Sequence, residues 1–201
     1  MLAPIVLAAG LSRRMGSPKA LLRDRAGCPF IVRVVRTLVA AGLEDVTIVT
    51  APSSHRAIVE AILSDPTVPP TRFALNSDPD RGQLTSIWTG MNLAVWPDAE
   101  GMLLTLVDVP FVSSGTIRAV VDAYYASHAP VVRPADGDRH GHPVIFDRSL
   151  FGELQRADPA VGAKAVVRAH ASRIVDVQVS DEGAFLDIDT PEDYERAVQL
   201  A

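Results

Sequence analysis

Cysteine is almost missing from this chain: Cys28 is the only one in 201 residues. No internal disulfide can form, which excludes the small disulfide-framed folds and suits a reducing compartment. Positive charge is in deficit, with 19 Lys and Arg against 24 Asp and Glu and a formal net charge of −5. That balance gives general nucleic-acid binding little basis. No apolar run approaches the ~18 residues needed to cross a membrane. The short N-terminal apolar run is followed by its positive charges, the reverse of a signal peptide. The sequence also lacks repeats and low-complexity tracts, and Pro66-Thr67-Val68-Pro69-Pro70 reads as a connection. A cytoplasmic protein with no nucleic-acid and no membrane partner is expected. At 48% hydrophobic the chain is not disordered. Its length suits one core, so residues 1–201 are expected to form a single domain.

What is present is an alternation of strands and helices. Ile5 to Ala9 reads as a buried strand. Pro29 to Ala41 has apolar residues at helical spacing and Gly42 as a C-cap. Strands follow at Val46–Thr50, Arg72–Leu75 and Gly101–Val107. Between and after them come helices at Ser53–Leu63, opened by a serine cap, at Leu84–Trp96, and at Ser113–Ser127. Pro130–Arg133 and Val144–Phe146 look like strands flanking a polar loop. Helices near Leu150–Gln155 and Gly162–His170, the strand Ile174–Val179 and a last helix from Pro191 complete the chain. Such alternation predicts an α/β fold, a mainly parallel sheet flanked by helices. Ligands in such sheets bind beyond the carboxyl ends of the strands, where Gly10 and Asp108 fall.

The first strand runs into Leu7-Ala8-Ala9-Gly10-Leu11-Ser12-Arg13-Arg14-Met15-Gly16-Ser17-Pro18-Lys19. Small residues let the backbone approach a ligand and offer its N–H groups, and the cations call for an anion such as a triphosphate. A P-loop is excluded, because five residues separate Gly10 from Gly16 and no Ser or Thr follows Lys19. The dinucleotide fingerprint is excluded by Ser12. The segment resembles the signature L-A-[AG]-G-x-S-x-R-M-G-x-x-K of the MobA-like nucleotidyltransferases, filled by Leu7, Ala8, Ala9, Gly10, Ser12, Arg14, Met15, Gly16 and Lys19. The resemblance implies a Rossmann-like three-layer nucleotidyltransferase fold. It also implies that an NTP is joined to a phosphate-bearing acceptor with release of pyrophosphate.

Four further patches extend the resemblance. Asp108 follows Leu103-Leu104-Thr105-Leu106-Val107, where a carboxylate either holds a metal at the sheet edge or caps the next turn. In the family an Asp at this place, followed by x-Pro, coordinates the metal. In Asp187-Ile188-Asp189-Thr190-Pro191-Glu192-Asp193 the last four residues are explained as a helix start. Asp187 and Asp189 would face one side of a strand. The resemblance implies Asp187, ahead of Asp189, as second metal ligand, with Mg²⁺, or Mn²⁺, as cofactor. Asn76 to Ile87 forms a loop and the first turn of a helix, where Thr85 and Ser86 either read a base or cap the helix. Family members using CTP tend to carry G-x-x-[ST]-S-[LI] here and Ala in the opening motif, matched by Gly82, Thr85, Ser86, Ile87 and Ala9.

Gly141-His142-Pro143-Val144 with Phe146 resembles the acceptor side of the molybdenum cofactor cytidylyltransferases, although a lone loop histidine is often structural or solvated. The subfamily's G-D-x-G-A-R is altered here: the spacing around Asp158 differs by two residues and Lys164 replaces the arginine. The resemblance thus implies Arg14, Lys19 and Asp108 as catalytic residues. Leu7, Ala8, Ala9, Gly10, Ser12, Arg14, Lys19, Asn76, Gly82, Thr85 and Ser86 would bind the nucleotide. His142, Pro143 and Lys164 would bind the acceptor, and Asp108 and Asp187 the metal. The implied substrates are CTP and molybdopterin or its molybdenum form, with a molybdoenzyme or its chaperone as receiving partner. Another phosphorylated acceptor (sugar, polyol or lactyl phosphate), a non-catalytic nucleotide carrier and a Rossmann-type oxidoreductase are the alternatives.

Overall fold

A computed structural model describes residues 1–12, 14–93 and 98–199. The core is an eight-stranded sheet. β1 (Leu2–Ala8) lies between β2 (Thr47–Thr50) and β4 (Gly101–Leu106), and β3 (Arg72–Leu75) lies outside β2, all parallel. Every residue of β1 is buried, as expected of a parallel strand covered on both faces. Its side chains alternate: Leu2, Val6 and Ala8 join one apolar cluster, and Ile5, Leu7 and Ala9 the other.

The first cluster is closed by α1 (Phe30–Ala40), α2 (His55–Leu63), α4 (Ser114–Ser127) and α7 (Pro191–Val198). The second is closed by α3 (Gln83–Leu93), α5 (Phe151–Arg156) and α6 (Lys164–Ala169). Gly42 ends α1 as expected: at φ +87° it lets Leu43 N–H donate to Leu38 O and its own N–H to Val39 O. Ser54 does not cap α2 with its side chain, and its hydroxyl is buried without a partner. The far end expected for α3, at Trp96, lies outside the described residues. No helix among those described is long and apolar enough to cross a membrane.

α3 comes close to the sheet because Gly90 faces it. A Cβ there would stand 2.9 Å from Ile5 Cγ2 and 3.0 Å from Val49 Cγ2. Gly90→Val is therefore expected to cost about 1–3 kcal/mol by overpacking. Urea unfolding checks this, and an unchanged midpoint would show that α3 shifts freely.

The remaining strands depart from the simple parallel expectation. β7 (Val144–Asp147) pairs antiparallel with β4, so Val144 lies opposite Leu104, near the carboxyl end of β4. β5 (Val131–Asp136) pairs antiparallel with β7 and parallel with β8 (Ile174–Gln178). The polar loop between β5 and β7 contains a short extra strand, β6 (Arg139–His140), which pairs with the far end of β5. Between β6 and β7 the chain leaves the sheet at Gly141-His142-Pro143, through a cis His142–Pro143 bond. Gly141 is required there, since a Cβ would lie 2.2 Å from Ala184 O. The reversal of β7 thus delivers His142 to the same sheet edge as Gly10 and Asp108.

Candidate functional site

The loop after β1 folds around Ser12. Ser12 has φ +49°, its carbonyl accepts from Met15 N–H (3.0 Å) and Gly16 N–H (3.2 Å), and its Oγ accepts from Lys19 N–H (3.0 Å). A small left-handed turn stapled by a hydroxyl explains why a short side chain stands at this position. The loop borders a cleft of about 30 Å³ lined by Ala8, Gly10, Ser12, Lys19, Val107 and Asp108. Leu7 and Ala9 do not line it. They pack in the core, and Leu7 O accepts from Val107 N–H at 3.1 Å. Arg13 lies outside the described residues.

Lys19 is the hub of the charges here. Its side chain is only 10% exposed, and its ammonium donates to Asp108 Oδ2 (3.0 Å) and Asp189 Oδ1 (2.5 Å). The exposed Arg14 donates to the other oxygen of Asp189 at 2.8 Å. Burial works against the Lys19 charge, but the bonds and charges of Asp189 and Asp108 outweigh it and raise its pKa. The hydrogen bond from Lys19 holds Asp189 below the usual carboxylate range. Asp108 goes the other way: burial raises it, and the charges of Asp189 and Asp187 add to that, against the pull of Lys19. Burial and the neighbouring Asp189 likewise raise Asp187. Asp108 O also accepts from Ile188 N–H at 2.9 Å, which ties the 187–189 segment to the end of β4.

Residues 187–189 do not form a strand, although Ile188 is fully buried between the two acids. The α7 start is as expected. Thr190 and Asp193 form a reciprocal capping box with Pro191 in the first turn, and Asp193 Oδ2 also accepts from Asp189 N–H at 3.2 Å. The two acids have different duties. Asp189 is occupied by Lys19 and Arg14, whereas Asp187 has no hydrogen bond or ion pair among the described residues.

The donor set suits a hard divalent cation. Lys19 and Arg14 balance two of the three carboxylates Asp108, Asp187 and Asp189, leaving a negative charge to be met. Among the described residues no three His, Cys, Asp or Glu side chains are gathered closely enough to coordinate a metal by themselves. Mg²⁺ does not require that, since one or two carboxylates and the substrate's phosphates complete its shell.

Asn76 follows β3 directly, and its N–H donates to Thr50 O at 2.9 Å. Its buried side-chain amide donates to Thr85 Oγ1 and Ser86 Oγ, both at 2.9 Å, and its Oδ1 accepts from Asp78 N–H at 3.0 Å. Thr85 Oγ1 also bonds Gly82 O at 2.8 Å. The structure therefore brings Asn76, Gly82, Thr85 and Ser86 together, but as a buried network that shapes the 76–86 loop. The hydroxyls expected to read a base edge are turned inward. Gly82, at φ +105°, carries the chain within 3.1 Å of Pro159 O at its would-be Cβ.

On the other side of Asp108 lies a cavity of about 300 Å³. Of the residues that the resemblance assigns to the acceptor, His142 and Lys164 line it, whereas Pro143 is buried and does not. Sequence reading missed Gln83, Arg133 and Arg168, which also line it. Arg168 stands four residues after Lys164 on α6, a spacing that was readable once the helix was in hand.

His142 Nδ1 is enclosed and has no hydrogen-bond partner. Burial, with the charge of Lys164 adding to it and the Leu104 carbonyl opposing, lowers the imidazole pKa to about 4. The folded protein thus holds His142 neutral while the unfolded chain protonates it near its ordinary value of 6.5. Its contribution to stability is present above that value and is lost as pH falls towards about 4. Comparing wild type with His142→Gln by urea unfolding across this window isolates it. The difference is expected to shrink by a few kcal/mol on acidification, and a constant difference would show that the imidazole titrates normally.

Residues 4–174 match the family model described as MobA-like NTP transferase domain. A molybdenum cofactor guanylyltransferase of Rhodopseudomonas palustris is 30% identical over 207 residues, covering 98% of this chain and 92% of its own. Other relatives carry the guanylyltransferase description too. The nicotine blue oxidoreductase of Paenarthrobacter nicotinovorans is 28% identical, covering 96% of this chain and 94% of its own. The crystal structure of Rv0371c from Mycobacterium tuberculosis in complex with manganese superposes with a TM-score of 0.76 at 28% identity, over 100% of this chain and 99% of the other.

Proposed function

The chain belongs to the MobA-like NTP transferase family, and from that premise we propose that it transfers a cytidylyl group from CTP to the phosphate of molybdopterin or its molybdenum form, releasing pyrophosphate. The observation that carries the reading is the cluster of Lys19, Arg14 and three carboxylates beside an open glycine loop at the sheet edge. The chemistry needs no covalent intermediate, because the acceptor phosphate is already a nucleophile that attacks the α-phosphorus in line. The protein's work is to position two anions and to neutralise the charge that grows on the leaving pyrophosphate.

Lys19, Arg14 and the loop N–H groups are assigned that neutralisation. Asp108 and Asp187 are assigned a divalent cation, Mg²⁺ or Mn²⁺, which when bound supplies Lewis-acid charge to the phosphates. Asp189 keeps Lys19 charged at the cleft and holds Arg14 beside it.

The preference for cytidine is supported by Ala9 together with Gly82, Thr85, Ser86 and Ile87. Ala9 belongs to the same apolar cluster as Leu84 and Ile87 at the start of α3, which ties the end of β1 to the 82–87 segment. The guanylyltransferase relatives favour GTP as the competing donor. Pyrophosphate release with Mg²⁺ and purified molybdopterin, compared across CTP, GTP, ATP and UTP, decides between them. CTP is expected to be used at least tenfold better than GTP, and equal or reversed use would assign the donor to the guanylyl reading. No release with any nucleotide would move the acceptor elsewhere.

A further inference from the structure

The cavity beside Asp108 has an unusual charge balance for an acidic protein. Its floor is apolar, from Leu104, Val144, Phe146 and Val167, and no Asp or Glu among the described residues lines it. Arg133 and His140 on its rim both face Asp176, at 2.7 and 3.5 Å. Lys164 and Arg168 have no hydrogen bond or ion pair among the described residues, yet both line the cavity. His142 adds an enclosed ring nitrogen without a partner. An apolar floor, two uncompensated cations and an unsatisfied buried nitrogen describe a site built for a flat molecule with polar edges.

The two cations are not equivalent. Lys164 is the first residue of α6 and lines the cavity together with His142. Arg168 is one turn on, about 6 Å further along α6. Lysine offers a point charge, whereas arginine offers a planar fork that matches a two-acceptor edge.

Resting on the reading of this cavity as the acceptor site, we propose that Arg168 is a specificity-determining residue. Its guanidinium grips, in bidentate fashion, an anionic or carbonyl-bearing edge of a heteroaromatic acceptor, remote from the phosphate that reacts. Lys164 serves the phosphate end, and the apolar floor takes the ring face. A phosphorylated acceptor that lacks such an edge, a simple polyol phosphate for example, forgoes this contact.

The test uses the full chain and a fluorescent probe, pterin-6-carboxylate, titrated against wild type, Arg168→Met and Arg168→Lys, with CTP–Mg²⁺ binding measured alongside by calorimetry. Arg168→Met is expected to weaken probe binding tenfold or more while leaving CTP binding within twofold. Arg168→Lys, which keeps the charge and loses the fork, is expected to recover little. Equal affinity in wild type and Arg168→Met, no detectable binding to wild type, or full recovery in Arg168→Lys would each overturn the assignment. The readout is separate from turnover. Arg168-dependent probe binding without pyrophosphate release would retire the cytidylyl reaction and keep the site. Pyrophosphate release with Arg168-independent binding would do the reverse.

Discussion

Lys19→Ala is expected to lower kcat by about 10²–10³-fold, the effect of deleting a preorganised donor aimed at developing charge. The side chain is nearly buried and held by two carboxylates, so little of its placement has to be found during the reaction. The same burial makes the variant costly in the free protein. Asp108 would lose its cation and Asp189 would keep only the exposed Arg14, an arrangement of neighbouring like charges that raises carboxylate pKa values and strains the fold. Thermal unfolding should therefore be measured beside the kinetics, and Lys19→Arg offers a variant that keeps the charge. Arg14→Ala should cost much less, since Arg14 is exposed and touches only Asp189 within this cluster. Near-normal kcat in a folded Lys19→Ala protein would remove Lys19 from the reaction.

Asp108→Asn is expected to cost about 10²-fold or more, the scale of several kcal/mol of charge stabilisation. It should also move the Mg²⁺ concentration for half-maximal rate upward by about tenfold or more. Asn keeps the shape and the strand-end position but not the charge. The neighbouring acids separate the duties. Asp187→Asn should shift the Mg²⁺ requirement in the same direction, because Asp187 has no partner among the described residues. Asp189→Asn should leave that requirement in place and act through Lys19, whose charge it supports by a 2.5 Å contact. An Mg²⁺ response unchanged in Asp108→Asn would place the ligand elsewhere, and a shift in Asp189→Asn alone would exchange the roles of the two acids.

The sequence by itself determined what is local. The strand into Gly10, the glycine end of α1 and the Thr190–Asp193 start of α7 each depend on contacts within a few residues. Short-range patterns of small, polar and left-handed positions are enough to predict them. The alternation that predicts an α/β sheet is likewise local, and it places Asp108 at a strand end without knowledge of the neighbours.

Only the tertiary structure decided the rest. Period-two patterning shows which residues of a strand are buried but not which strand lies beside it or in which direction. The antiparallel insertion of β7 was therefore invisible, although it is what brings His142 to the sheet edge that carries Gly10 and Asp108. Thr85 and Ser86 looked available for a base, but Asn76, from the end of β3, binds both hydroxyls and turns them inward. Resemblance alone set Asp187 ahead of Asp189, and the physical difference came from Lys19, 170 residues from Asp189, which occupies one and leaves the other. Arg168 carried no motif at all. Its position became meaningful when α6 placed Lys164 and Arg168 along a cavity lined by no carboxylate among the described residues. In each case the deciding contact joins segments far apart in the chain, and its energy depends on burial and charge that exist only after those segments meet.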